Sequence, residues 1–223
     1  MKEFIRKYKH AIPMIVYMVC YLAAFFIVEQ YTKDNYHLIH TSLDDKIPLL
    51  EGFIIPYILW FPYVAGFVLY FIFMDKENYW QLFWFLVSGM TIFIIVSFAY
   101  PNGLELRPET FERDNIFTAM IGGLYKTDTA TNVLPSIHVY NSLGIQIAVM
   151  KSKPLKKHRI IQILSGILCV LIILSTMFIK QHSIVDVTTA FLLAVVAYVV
   201  IYVFLPRKKG NAKQMQNNES RVK

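Results

Sequence analysis

The chain has 223 residues, 56% of them hydrophobic and only 17% charged, against roughly 25% charged in an ordinary soluble domain. Mean hydropathy is +0.47 and the formal net charge is +7. This balance all but excludes a water-soluble enzyme, a disordered chain and a nucleic-acid-binding protein. The basic residues cluster beside apolar runs, where they orient a chain in a membrane. The two cysteines, Cys20 and Cys169, both fall inside apolar runs, and neither a disulfide framework nor a zinc spacing is present.

Six apolar stretches follow in order: Ala11 to Val28, Phe53 to Met74, Trp80 to Tyr100, Ser136 to Met150, Ile160 to Ile179 and Val187 to Leu205. Five approach the ~20 residues a spanning helix needs. The stretch from Ser136 is shorter, 15 residues with a polar start, and is expected to turn that polar end toward a cavity rather than lipid. The first run follows Lys2, Arg6, Lys7 and Lys9 as a signal peptide would. It is long, however, holds Pro13 and ends at Glu29-Gln30 without a small-residue cleavage site, so it is read as a retained helix. Sixteen of the 22 lysines and arginines lie before the first run, in the 75–79 and 151–159 loops and after Leu205. The positive-inside rule then places both termini in the cytoplasm and segments 29–52, 101–135 and 180–182 outside. The expected fold is all-α, a polytopic membrane bundle of six transmembrane helices over residues 1–206, followed by a polar, basic cytoplasmic tail, 207–223. Gly122-Gly123 is expected to end a short loop helix. His10 and His158 are expected near anionic headgroups. His37 and His40 read as surface residues, and Trp60, Trp80 and Trp84 as packing and interfacial positions.

Four polar features fall in the outward segments: Arg107-Pro108, the run Asn132 to His138, Lys180-Gln181-His182, and Asp186. Ionisable groups at membrane depth are costly and default to functional candidates. His182 and Asp186 are four apart and share one face of a helix. An aspartate that fixes one ring nitrogen leaves the other with a free lone pair, the arrangement of an oriented base or nucleophile; the bland alternative is a helix-end pair without chemistry. Ser136 is a candidate N-cap whose helix N-terminus would suit an anion, with His138 in the first turn, although capping serines beside histidines are common. Arg107 suits bidentate phosphate recognition, or is a loop arginine that snorkels.

Taken together and in order, these pieces resemble the type 2 phosphatidic acid phosphatase superfamily, whose motifs read Lys-x6-Arg-Pro, Pro-Ser-Gly-His and Ser-Arg-x5-His-x3-Asp. The counterparts here are Tyr100-x6-Arg107-Pro108, Pro135-Ser136-Ile137-His138 and Ser175-Thr176-x5-His182-x3-Asp186. The resemblance implies a metal-free, cofactor-free membrane enzyme at the extracytoplasmic face of the cell membrane, acting on a phospholipid or lipid phosphate. It implies His182 as the nucleophile that becomes phosphohistidine, Asp186 as its orienting partner, His138 as the acid for the leaving group, and Arg107 and Ser136 as phosphate binders. The departures are Tyr100 for the motif lysine, Thr176 for the motif arginine and Ile137 for the glycine. Two of three cationic positions are thus lost, which suits a phosphodiester with one negative charge better than a monoester with about −1.5 to −2. That pattern is similar to the subgroup of inositol phosphorylceramide and sphingomyelin synthases, and it adds Asn132, Gln181 and Lys180 as candidate phosphate contacts. Two rival readings are a plain phosphatidic acid or isoprenyl diphosphate phosphatase, and a non-catalytic transporter or scaffold with a degenerate site.

Overall fold

The computed structural model describes residues 6–33 and 35–205; the expected tail 207–223 lies outside the described residues. The chain is mostly helical. Its elements are α1 (Ile12–Thr32), β1 (His37–Leu38), α2 (Ile54–Met74), α3 (Lys76–Ala99), β2 (Asn102–Gly103), α4 (Ile116–Thr127), α5 (Ile137–Lys151), α6 (Arg159–Phe178) and α7 (Ile184–Tyr198), the last continuing in wider turns over Val199–Phe204. Among the described residues five helical segments are long and apolar enough to cross a membrane: Arg6–Thr32, Glu51–Met74, Lys76–Ala99, Arg159–Phe178 and Ile184–Phe204. Backbone groups in lipid must find partners inside their own segment, which is why such runs fold as helices.

The shortest long helix, α5, is the central one. It packs against α2, α3, α6 and α7, while α1 lies on α3. Surrounded by protein, α5 can hold polar side chains that lipid would reject: Asn141 and Ser142 are buried on it. Ser142 Oγ donates to the His138 carbonyl, and Gln146 accepts from Ser165 Oγ at 2.6 Å. The α3–α5 contact needs two glycines. A Cβ on Gly89 would lie 2.0 Å from the Tyr140 ring, and one on Gly144 would lie 2.6 Å from Phe85. Each glycine receives the aromatic ring of the facing helix, and the two rings stack at 4.6 Å, with Tyr140 Oη donating to the Phe85 carbonyl at 2.9 Å. Small residues that let helices approach are the usual means of packing where lipid supplies no hydrophobic drive.

At one end, the end that carries His182, the loops are knitted together. β1 and β2 pair in parallel, His37 with Asn102 and Leu38 with Gly103, and Gly103 also bridges to Thr131. A side chain at Gly103 would strike the Tyr36 ring at 2.6 Å and the Ala130 carbonyl at 2.9 Å. Asn102, fully buried, accepts from the amides of Val133 and Leu134 at 2.9 Å each, which fixes the lead-in to α5.

Two expectations are corrected. Helix α4 starts at an Asn115–Thr118 capping box and runs through Gly122-Gly123 to Thr127, because its apolar stripe packs Ile121 against Ile54, Tyr57 and Ile179. His10 is buried: its Nε2 meets the Ile72 carbonyl at 3.0 Å, and its ring lies edge-on to Tyr79.

Candidate active site

The turn between α6 and α7 carries His182. Helix α6 ends at Phe178, and the carbonyl of Thr176 accepts both the Gln181 and His182 amides at 2.9 and 3.0 Å. Lys180 takes a left-handed φ of 56°, which reverses the chain into the Ser183 cap of α7. Ser183 and Asp186 form a capping box, with the Ser183 amide donating to Asp186 Oδ2 at 2.8 Å. Asp186 is fully buried. The same Oδ2 lies 3.4 Å from His182 Nδ1, and His182 Nε2 lies 3.5 Å from His138 Nδ1. The partners assign the tautomers. A carboxylate only accepts, so Nδ1–H of His182 points at Asp186 and its Nε2 lone pair faces His138, whose Nδ1–H is the matching donor. Asp186, His182 and His138 therefore make one chain with a lone pair and a proton at its working end. The contacts are long, as such bonds often are before a substrate tightens them.

His138 sits in the first turn of α5, behind the Ser136 cap. Ser136 is fully buried and accepts from the Val139 amide at 3.4 Å, and its own amide donates to the Asp186 carbonyl at 3.2 Å. The N-terminus of α7 already holds two carboxylates, Asp186 and Asp44, whereas the first turn of α5 holds no acidic residue. An incoming anion therefore finds an uncompensated dipole end at α5 and not at α7. The His138 ring lies 4.7 Å from Tyr57 and 4.3 Å from Trp60. These α2 aromatics were not singled out by the sequence; at i and i+3 near a helix end they look like ordinary interfacial residues.

Arg107 is the cation of the site. Its Nη1 donates to the Asp128 carbonyl at 2.7 Å, and its Nη2 to the Thr129 carbonyl at 3.1 Å and Gln181 Oε1 at 2.7 Å. The plane lies 4.7 Å over the Tyr125 ring. Burial pulls the Arg107 pKa down and Asp128 opposes that shift; a guanidinium stays charged regardless. Its Nε, Gln181 Nε2 and Asp186 Oδ1 are buried without a partner among the described residues. Two such buried donors, one on a cation and one on the side chain that cation holds, are suited to an anionic oxygen.

The remaining sequence candidates fall elsewhere. Asn132, with φ 56°, donates its amide nitrogen to Thr32 Oγ1 at 2.7 Å, tying this loop to α1. Lys180 does not supply charge to the pair: its ammonium donates to the carbonyls of Asp44 at 3.0 Å and Ile47 at 2.5 Å. Tyr100 caps α3 and stacks on His37 at 4.4 Å with an interplanar angle of 3°, so it does not stand in for the motif lysine. Thr176 turns its hydroxyl to the Ile173 carbonyl. The sequence reading also missed Asp44. Its carboxylate holds Ser183 Oγ at 2.8 Å and the Ile184 amide at 2.9 Å; nothing local links positions 139 residues apart. A cavity of about 400 Å³ at this end is lined by Glu51, Pro108, Phe111, Arg113 and Lys180, and not by the histidines. Among the described residues no cluster of three or more His, Cys, Asp or Glu could hold a metal. Comparisons with protein-family models, with curated proteins and with solved structures returned no match.

Proposed function

We propose that this chain is a membrane-embedded lipid phosphoesterase or phosphotransferase that works through a phosphohistidine, in the manner of the type 2 phosphatidic acid phosphatases it resembles. The observation that carries the reading is the Asp186–His182–His138 chain, with Gln181, the residue before His182, holding Arg107 at the same end of the bundle. In this reading α5 is the sixth span, kept short because protein and not lipid surrounds it, and both termini face the cytoplasm. The site then faces outward, at the level of the outer leaflet, where a lipid substrate arrives laterally.

The phosphoryl group is held by Arg107 Nε, Gln181 Nε2 and the first turn of α5, displacing His138 from His182. His182 Nε2, with Nδ1–H held by Asp186, attacks phosphorus. As the N–P bond forms, the bond to the lipid alcohol breaks and His138, protonated on both ring nitrogens beside the bound anionic phosphoryl group, passes its Nδ1 proton to the departing oxygen and is left neutral. His138, now a base, takes a proton from water or a second alcohol, which attacks the phosphohistidine and frees His182. Water gives hydrolysis and an alcohol gives head-group transfer. Stabilisation of the transition state is largely electrostatic in phosphoryl transfer. A site with one arginine, whose motif lysine and motif arginine positions are Tyr100 and Thr176, is matched to a singly charged diester.

The test is to reconstitute the protein, incubate it with a panel of phosphatidic acid, isoprenyl diphosphate and diester phospholipids, and follow the lipids by mass spectrometry beside His182→Ala. The reading expects conversion of at least one lipid, diesters ahead of monoesters, and none with the variant. Wild-type turnover in the variant, or no conversion of any of them, overturns it in favour of a binding or transport role.

A further inference from the structure

We propose that Asp44 is a positioning residue for His182: through it, the first outer loop clamps the turn that carries this histidine. Its catalytic consequence rests on the reading of His182 given above.

Only residues 179–183 separate α6 from α7, and His182 is placed by how that turn is held. Asp44 holds it on both sides of the histidine. Its carbonyl accepts from Lys180 Nζ at 3.0 Å, its Oδ2 accepts from Ser183 Oγ at 2.8 Å, and its Oδ1 accepts from the Ile184 amide at 2.9 Å. Positions two before, one after and two after His182 are thus tied to one residue of another loop. Asp44 is only 1% exposed, and the Thr41 amide and hydroxyl fix its Oδ2 at 2.8 and 3.0 Å. Burial would raise its pKa, but these hydrogen bonds hold it below the usual carboxylate value.

Capping alone does not account for Asp44. Helix α7 has its own cap, since Ser183 and Asp186 already form a capping box. What Asp44 adds is a second anchor for Ser183, which sits between two carboxylates with its hydroxyl on Asp44 and its amide on Asp186. Fixing Ser183 sets where Asp186 stands relative to His182 Nδ1. The left-handed Lys180 is the other anchored point: a non-glycine residue with positive φ persists when its surroundings over-determine it. A shift of about 1 Å in a reacting group can cost roughly 100-fold in rate.

The test uses full-length protein in detergent with micelles of short-chain phosphatidylglycerol and short-chain phosphatidic acid as probes, and diethyl pyrocarbonate as a substrate-free probe. Asp44→Asn is expected to lower kcat roughly 10- to 100-fold with KM within about twofold, since second-layer partners orient the reacting group rather than the substrate. Lys180→Met and Ser183→Ala remove one tie each and are expected to lower kcat less; they stand in should Asp44→Asn fail to fold. Carbethoxylation of His182, read by peptide mass spectrometry, is expected to quicken at least about threefold in Asp44→Asn as the turn loosens, with exposed His158 at the other end of the bundle unchanged. Unchanged kcat in folded variants, or a loss confined to KM, overturns the proposal. So does an unchanged carbethoxylation rate, and that readout holds even if His182→Ala retains turnover and the catalytic reading itself falls.

Discussion

The two ends of this bundle bury polar side chains in different ways. At the end opposite His182 the bonds run between helix ends. His10 Nε2 meets the Ile72 carbonyl, Asn78 donates its side-chain amide to the Ala148 carbonyl at 2.6 Å, and Asp75 accepts from the Asn78 amide at 3.2 Å and from Ser152 Oγ at 2.8 Å. These bonds staple one helix end to the next. At the His182 end His138, His182 and Asp186 form one chain, Gln181 just before His182 holds Arg107, and the donors Arg107 Nε and Gln181 Nε2 have no partner among the described residues. Both ends leave buried polar atoms without a partner among the described residues, His10 Nδ1 and Tyr79 Oη at one and Arg107 Nε, Gln181 Nε2 and Asp186 Oδ1 at the other. Only the His182 end sets a cationic donor beside two facing imidazoles, and that combination distinguishes a site from a staple.

The largest effect expected from breaking this contrast is at His182. Its change to alanine should lower lipid turnover by at least ~10³-fold while leaving the fold intact, as loss of a nucleophile does, measured by lipid mass spectrometry beside thermal unfolding. Arg107→Lys comes next. Lysine keeps the charge but cannot serve the Asp128 and Thr129 carbonyls and Gln181 from one rigid plane, so turnover should fall roughly 10- to 100-fold, about 1.4–2.7 kcal/mol at the transition state.

How much of this was legible differs by region. The apolar runs announced the helices because their lengths match a bilayer. The four-residue interval found the His182–Asp186 pair, although His182 lies in the turn before the Ser183 cap and not on the helix face that interval implied. Asp44 could not be read, because its bond to Ser183 joins loops that only the packed bundle brings together. Nor could Trp60 and Tyr57, whose contact with His138 is a meeting of α2 and α5. Lys180 misled for a related reason: it stands two residues before His182, but a left-handed backbone turn sends its ammonium to the Asp44 loop.

Smaller effects sharpen the comparison. Gly89→Ala drives a methyl into Tyr140 in mid-bundle and should destabilise by about 1–3 kcal/mol, seen as a lower Tm with turnover per folded molecule retained. At the staple end, Asn78→Ala should cost about 1–2 kcal/mol of stability and again spare turnover. An equal loss of turnover there would erase the distinction between the ends. The smallest is a pH effect. Asp44 has a lowered folded pKa, so its contribution is present above the ordinary carboxylate pKa of about 4 and is lost as pH falls through the lowered value. Asp186 and Lys180 are the neighbouring charges. Unfolding followed from pH 6 downward should show a shallower acid limb in Asp44→Asn than in the wild type.

The most direct measurement is capture of the covalent intermediate. Wild-type protein turning over phospholipid is quenched in alkali, where phosphohistidine survives, and its peptides are read by mass spectrometry. The account predicts a phosphoryl or phospho-head-group adduct on His182 that is lost in His182→Ala and forms more slowly in His138→Ala, which lacks the acid for the departing alcohol. Turnover that proceeds with no adduct on His182, or with the adduct on another residue, contradicts it.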